Sequence, residues 1–218
     1  VELFGRGAGV DVEDADVGFG RRSVQRRNPL QPDVLQRGAD VGVEVVAEGF
    51  DAGGHSGFDE IPTASLVPQV AGACGIPVIA AGGIADGRGV AAALTLGASA
   101  VQVGTALLRS PEAAIDERWS AALADIGPEA TTPTRAYSGR LGRAVRTPYV
   151  AAWEAPDAPR PAPYPHQRRL VTQWRAGTPR DVDPVNFWAG QSAGLARVAP
   201  AGEIVTSMWS EARQLLGL

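Results

Sequence analysis

Three short apolar runs alternate with helical patterns in the first half of the chain. Residues 43–49 (VEVVAEG), 77–83 (PVIAAGG) and 100–105 (AVQVGT) are typical of buried strands. Between them, residues 63–74 and 89–97 carry apolar positions at helical spacing. Strands that alternate with helices at this distance predict βαβ units and a parallel sheet, which keeps its ligands at the carboxyl ends of the strands.

The chain falls into three stretches, of which residues 37–110 hold this alternation. Residues 1–36 sustain neither a helical nor a strand period. Two interpretations of them stand: a flexible or disordered segment, or sequence read out of frame. Residues 111–218 form a helical and irregular segment that we expect to pack on the sheet.

In this C-terminal segment, residues 111–126 and 204–216 predict amphipathic helices. The span 147–184 holds eight of the 17 prolines, which predicts an extended, wrapped segment. Four tryptophans follow residue 150, and a solvated linker rarely carries so many aromatic residues. We therefore expect the span to pack against the rest of the chain.

Composition narrows the class of protein. Of the 218 residues, 44% are hydrophobic and 20% charged, as in soluble globular proteins. A net charge of -4 without a basic run disfavours nucleic acid or an anionic membrane as the partner. Cys74 is the one cysteine, which excludes an internal disulfide and a cysteine-rich zinc site, and we expect no metal. The expected location is the cytoplasm.

Two glycine-bearing strand ends predict a phosphate site. Gly82 and Gly83 follow the second strand and precede a helix, whose dipole favours an anion. Residues 102–105 (QVGT) end the third strand and offer a bare amide and a hydroxyl. Two such loops in succession are typical of the phosphate site that (β/α)8 barrels build, although a tight structural turn also explains a Gly-Gly pair.

The loop at residues 49–57 (GFDAGGHSG) carries His55 at the end of the first strand. Imidazole accepts protons near neutral pH, and this position favours a catalytic base over a structural histidine. Asp51 either fixes the loop or orients the imidazole. His166, in a proline-rich run, is expected to be structural.

Other polar residues favour structural roles. Asp86 and Arg88 are expected to cap and flank a helix, and Cys74 to be a packed thiol. A loose basic cluster is expected to be a solvated face, with a dimer contact or a substrate entrance as alternatives; its members are Arg135, Arg140, Arg143 and Arg146.

Several motifs together resemble the FMN-dependent nitronate monooxygenases. They are residues 49–57 (GFDAGGHSG), 66–70 (LVPQV), 76–89 (IPVIAAGGIADGRG) and 102–105 (QVGT), with 135–140 (RAYSGR), Tyr164-Pro165 and 187–191 (FWAGQ) in the tail. The resemblance runs from about residue 40 to the end of the chain. It implies a flavoprotein (β/α)8 TIM barrel that oxidises alkyl nitronates, such as propionate 3-nitronate, with O2 to a carbonyl compound and nitrite.

By this resemblance His55 is the base that takes the proton next to the nitro group. The FMN contacts that it implies are Glu48, Gly53, Gly82, Gly83, Gln102, Val103, Gly104 and Thr105. The implied partners are a small nitronate or nitroalkane and O2, without nucleic acid or membrane, and a homodimer remains open.

One departure concerns Glu48, where the family usually has a glutamine. Glutamate is usual in the related flavin-dependent enoyl-acyl-carrier-protein reductases, which share the AGGH and AAGGIADG runs. A carboxylate beside the flavin ring disfavours an anionic reduced flavin. The FWAGQ tail weighs against the reductase, which is the alternative function.

The second departure is length, since a (β/α)8 barrel takes about 250 residues. The three strands resemble the sixth, seventh and eighth, so we expect a barrel truncated to its last three βα units. An open sheet of this size leaves an unpaired edge. A non-catalytic barrel fragment is therefore the alternative of another class.

Overall fold

The computed structural model describes residues 2–5, 44–56, 60–124, 126–177 and 182–218. The interpretations of residues 1–36 therefore lie outside the described residues, apart from 2–5, and so does the expected start of the first strand at Val43.

The described residues contain seven strands in two sheets. They are β1 (Glu2–Gly5), β2 (Val45–Glu48), β3 (Gly54–His55), β4 (Val78–Ala81), β5 (Ala100–Val103), β6 (Thr131–Thr134) and β7 (Gly142–Val145). The first sheet has the order β1-β5-β4-β2 and the second the order β3-β7-β6. In the first sheet β2, β4 and β5 run parallel, as the sequence predicts, and β1 pairs antiparallel with β5.

Six α-helices are described in the same residues. They are α1 (Thr63–Ala73), α2 (Gly87–Thr95), α3 (Glu117–Ala122), α4 (Pro148–Trp153), α5 (His166–Ala176) and α6 (Ala201–Leu216). Helix α2 begins where Asp86 accepts a hydrogen bond from the Gly89 amide at 3.0 Å, which confirms the predicted cap. Arg88 pairs with Asp86 on the surface.

The parallel strands present one face to a layer of helices. Alternate strand residues on this face share a core with α1, α2 and α6 because successive side chains of a strand point to opposite faces. The buried residues that α6 contributes are Ile204, Met208 and Ala212, spaced for one face of a helix. Strands β2, β4 and β5 thus form a parallel sheet whose carboxyl ends lie at one edge, where the loops that follow the strands begin.

The second sheet ties the C-terminal half of the chain to the loop after β2. Strand β3 pairs antiparallel with β7, with Gly54 opposite Arg143 and His55 opposite Gly142. Strand β7 also receives a bridge from Trp188 to Ala144. Two smaller apolar clusters, around Tyr137 and around Leu123, fill the space behind this sheet.

Two expectations for the C-terminal half are wrong. The helix predicted over 111–126 is interrupted, since Ala114 has a φ of 47° and Asp116 starts α3 afresh by accepting from the Arg118 amide. The span 147–184, expected to be extended, contains α4 and α5. Pro148 occupies the first position of α4, where its missing N–H costs no hydrogen bond, so here a proline starts a helix.

Candidate active site

The loop that carries His55 is fixed at its base by α1. The Thr63 amide donates to the Asp51 carboxylate at 2.7 Å, and the Phe50 amide donates to the Ile61 carbonyl at 2.8 Å. These contacts favour the loop-fixing interpretation of Asp51 over the imidazole-orienting one, because its carboxylate is engaged at the start of α1.

His55 is held by a serine that sequence reasoning missed. Its Nε2 lies 2.7 Å from Ser138 Oγ, and the Arg140 amide donates to the same oxygen at 3.2 Å. The Ser138 hydroxyl lies 3.2 Å from the Arg140 carbonyl, which can take its proton. Ser138 is almost completely buried. The RAYSGR motif contains this serine, but only the fold places it beside a histidine 83 residues earlier.

Two aromatic rings flank the imidazole edge to face. The ring centroids of Tyr164 and Trp188 lie 5.9 Å and 5.4 Å from that of His55. Burial lowers the pKa of His55 below its ordinary 6.5, and the positive charges of Arg140 and then Arg168 lower it further. The imidazole is therefore neutral at pH 7 and has a lone pair to accept a proton.

Arg143 clamps the His55 loop from beneath and is not part of a solvated face. Only 5% of the residue is exposed. Its Nε donates to the Phe50 carbonyl at 3.1 Å, one Nη donates to the Thr131 carbonyl at 3.4 Å, and the guanidinium lies 5.1 Å from the centre of the Phe50 ring. Burial lowers the pKa of Arg143 and the nearby Asp51 carboxylate opposes the shift.

The other members of the predicted basic cluster do not act together. Arg135 is exposed and donates to the Gly139 carbonyl, and Arg146 pairs with Glu154 at 2.8 Å on the surface. Arg140 is half-buried, and its positive charge lowers the pKa of His55. One of the four arginines thus borders the candidate base, one lies beneath its loop, and two are solvated.

Two of the residues expected to contact FMN lie in one row of the parallel sheet. The register places Glu48 beside Ala81 and Ala81 beside Gln102, all on the face away from the helices. Adjacent strands are about 4.8 Å apart, so Glu48 and Gln102 stand roughly 10 Å from each other. The Val103 side chain points the other way into the helix-side core, which leaves only its backbone for a ligand.

The Gly82–Gly83 turn opens at the end of β4 with φ angles of 107° and 66°, which favour glycine. The amide of Gly83 donates to no described residue, and the same holds for Gly104 at the end of β5. A Cβ on Gly104 would meet no atom within 4 Å. Two neighbouring strand ends therefore offer amides with no acceptor among the described residues, a donor set that fits an anion such as phosphate.

The expected help from the following helix is absent. The first amides of α2 are already taken, since Gly87 donates to the Glu211 carboxylate at 2.8 Å and Gly89 to Asp86. The N-terminus of α2 is thus capped by two carboxylates of the chain itself. An anion at Gly83 would depend on the strand-end amides and not on the free end of this helix.

The remaining residues that the sequence singled out are Gly53, Thr105, His166 and Cys74. Gly53 and Thr105 both contact residue Gly190 of the FWAGQ segment. His166 is exposed at the start of α5, outside the candidate site. Cys74 ends α1, is partly packed against the helix-side core, and burial raises the pKa of its thiol.

The family of this chain follows from its similarity to known protein families. The family profile described as nitronate monooxygenase matches residues 32–211. The chain belongs to the nitronate monooxygenase family. The match covers both the parallel strands and the C-terminal segment that supplies Ser138 and Trp188.

Relatives and solved structures agree with this membership. A nitronate monooxygenase of Paraburkholderia phytofirmans is 41% identical over 83% of this chain and 53% of its own length. A probable nitronate monooxygenase of Staphylococcus aureus is 37% identical over 79% of this chain and 51% of its own. The chain thus spans about half the length of these curated relatives.

The structure is similar to two solved proteins. Nitroalkane oxidase from Streptomyces ansochromogenes superposes with a TM-score of 0.67 at 36% identity, over 79% of this chain and 53% of that one. FabK from Thermotoga maritima has the same TM-score at 34% identity, over 85% and 58%. The α/β arrangement is thereby shared with both, while a TIM barrel truncated to its last three βα units stays a prediction for this chain.

The described part of the chain holds neither a membrane-spanning helix nor a metal-binding cluster. None of the helices found there combines the length and apolar character that crossing a bilayer requires. No cluster of three or more histidine, cysteine or acidic residues placed to hold a metal ion occurs among the same residues.

Proposed function

We propose that this chain carries the FMN-binding and proton-accepting part of an enzyme that oxidises alkyl nitronates, such as propionate 3-nitronate, with O2 to a carbonyl compound and nitrite. Membership of the nitronate monooxygenase family supports the reaction class. The observation that carries the proposal is a neutral, serine-bound histidine in the loop that leaves one of three parallel strands, while the other two strands end in amides that donate to no described residue.

Bound FMN would be held by residues at the three strand ends. The amides of Gly83 and Gly104 and the hydroxyl of Thr105 would donate to the phosphate, and Glu48 and Gln102 would lie against the rest of the cofactor. The role of the flavin is to accept electrons from the substrate and to pass them to O2.

The protein's own contribution is proton transfer by His55. With the Ser138 hydroxyl turned toward the Arg140 carbonyl, Nε2–H donates to Ser138 Oγ and Nδ1 keeps its lone pair. When a neutral nitroalkane is bound, Nδ1 accepts the proton from the carbon next to the nitro group, and the nitronate that remains is the species that is oxidised. Ser138 keeps its bond to the imidazolium after the transfer, while Tyr164 and Trp188 restrict the orientation of the ring.

Replacement of His55 tests this role. We expect His55→Asn to bind FMN with unchanged affinity and to lose about 10²–10⁴-fold in nitroalkane turnover, because the amide cannot accept the proton. Flavin fluorescence measures binding, and nitrite release measures turnover.

The chain supplies a matched control for this experiment. It has two histidines, and His166→Asn changes the exposed one, so both FMN binding and turnover should stay at the wild-type level. Turnover that survives His55→Asn would remove His55 as the base. A wild-type protein that binds no FMN would instead favour a non-catalytic fragment.

One observation favours a second function, the flavin-dependent enoyl-acyl-carrier-protein reductase. Glu48 lies in the same strand-end row as Gln102, with Ala81 between them, and the similarity to FabK is consistent with this alternative. Rapid reduction of the bound flavin by NADH or NADPH would support the reductase. A flavin that is reduced by nitronate and not by the nicotinamide would exclude it.

A further inference from the structure

A short C-terminal segment touches all three loops at the ends of the parallel strands. This strap, residues 189–192, follows the Trp188 that flanks His55. The Gly190 amide donates to Thr105 Oγ1 at 3.0 Å, and the Gln191 amide donates to the Asp51 carbonyl at 2.9 Å. The Ser192 hydroxyl donates to the Gly83 carbonyl. The loops after β2, β4 and β5 are thus joined by three consecutive residues, 190–192.

The strap lies directly against the His55 loop with no space for a side chain between them. A Cβ on Gly53 would stand 2.6 Å from the Gly190 nitrogen, and a Cβ on Gly190 would stand 2.8 Å from the Asp51 carbonyl oxygen. Contacts this short require glycine on both sides. The glycines of the AGGH and FWAGQ runs therefore serve this packing.

The bonds of the strap leave donors available at the strand ends. Ser192 occupies the Gly83 carbonyl, whose lone pairs would repel an anion next to the Gly83 amide. Gly190 occupies a lone pair of Thr105 Oγ1, and the hydroxyl proton of Thr105 has no acceptor among the described residues. The amides of Gly83 and Gly104 likewise donate to no described residue. Each of these two acceptors receives one hydrogen bond from the strap, whereas the three donors have no acceptor among the described residues.

We propose that the strap is a positioning element of the phosphate site and that Ser192 makes the chain prefer FMN to riboflavin. The inference rests on the proposed function, because it takes the flavin site as given. Ser192 orients the peptide after Gly83, and Gly190 turns the Thr105 hydroxyl toward the phosphate. Neither residue of the strap needs to contact the flavin ring.

Substitution of Ser192 tests the proposal through a ratio of affinities. In the full chain, Ser192→Ala should weaken FMN binding about five- to tenfold, the effect of one lost hydrogen bond, and leave riboflavin binding within twofold. Ser192→Thr, which keeps the hydroxyl, should restore FMN binding. Quenching of flavin fluorescence gives both dissociation constants, and circular dichroism checks that each variant is folded.

A second variant and a control make the result specific. Thr105→Val removes a proposed donor and should lower the affinity for FMN selectively in the same way. Ser207→Ala removes a serine hydroxyl on α6 that accepts from Arg197, and both affinities should stay unchanged.

The outcomes separate this inference from the proposed function. If wild type binds FMN and Ser192→Ala weakens FMN and riboflavin equally, or weakens neither, the inference is overturned and the flavin site stands. If wild type binds neither flavin, the proposed function fails for this chain and the inference falls with it.

Discussion

At the scale of single residues, the environment of His55 determines whether it can act as a base. Burial is the largest cause of its lowered pKa, followed by the charge of Arg140 and then of Arg168. Arg168 is exposed on α5, so it can be changed without disturbing the Ser138 contact. The charge and the hydrogen bonds at the base can therefore be tested separately.

We predict that His55 titrates below pH 6.5 and that Arg168→Gln raises its pKa, because a repelling positive charge is removed. Nuclear magnetic resonance of the imidazole Cε1 protons measures this. The sequence has two histidines, so His166→Gln assigns the signals. Arg169→Gln, on the neighbouring exposed arginine, should leave the pKa unchanged.

The lowered pKa of His55 also makes the free energy of unfolding depend on pH. The unfolded chain takes up this proton as pH falls to about 6.5, whereas the native site resists it until lower pH. The contribution of His55 to the free energy of unfolding is therefore full above 6.5 and is lost as pH falls through this window. A His55 signal that titrates at or above 6.5 would contradict the described environment.

At the scale of elements, the C-terminal helix stabilises the parallel sheet from the helix side. Met208 is 1% exposed between α6 and the sheet core, whereas Leu215 on the same helix is 59% exposed. We predict that Met208→Ala lowers the free energy of unfolding by about 2–5 kcal/mol, because it removes buried contacts and leaves a cavity.

Leu215→Ala is the matched control, with an expected change within about 0.5 kcal/mol. Urea denaturation followed by circular dichroism measures both variants. Equal effects of the two substitutions would show that α6 does not pack on the sheet through its buried face.

Periodicity predicted the parallel strands and their helices well because each of these elements is specified by its own short stretch of sequence. Helix α1 was expected over 63–74 and spans Thr63–Ala73, and the strand ends at Gly82 and Gly104 lie where the glycines place them. The break at Ala114 was not predictable, since a left-handed alanine has no sequence signal. The helix at Pro148 was missed because proline was interpreted as a breaker and not as a first helical residue.

Only part of the candidate site could be predicted, because several of its residues come from distant parts of the sequence. The glycine loops and His55 lie on consecutive strand ends, so spacing alone brought them together. Ser138, Arg143 and Ser192 reach the site through pairings 83 to 109 residues apart, which no local pattern contains. Motif resemblance marked the segments that hold Ser138 and Trp188 without assigning them a partner.

At the scale of the whole molecule, the candidate site exists only when distant segments are assembled. Strand β3 meets β7, residue Gly83 meets Ser192, and Thr105 meets Gly190. The unfolded chain holds none of these contacts. A ligand that needs all three strand ends therefore binds the native state alone, and its binding free energy adds to the free energy of unfolding.

This linkage gives a prediction for the intact chain. Free FMN at 100 times its dissociation constant should raise the free energy of unfolding by about 2.7 kcal/mol, and each further tenfold should add about 1.4 kcal/mol. Urea denaturation at increasing FMN concentration measures the slope. His55→Asn should give the same slope, because in our proposal the base takes a proton and does not hold the cofactor. A midpoint that is independent of FMN would mean that the native chain does not bind it, whereas a slope lost only in His55→Asn would assign the histidine to binding and not to proton transfer.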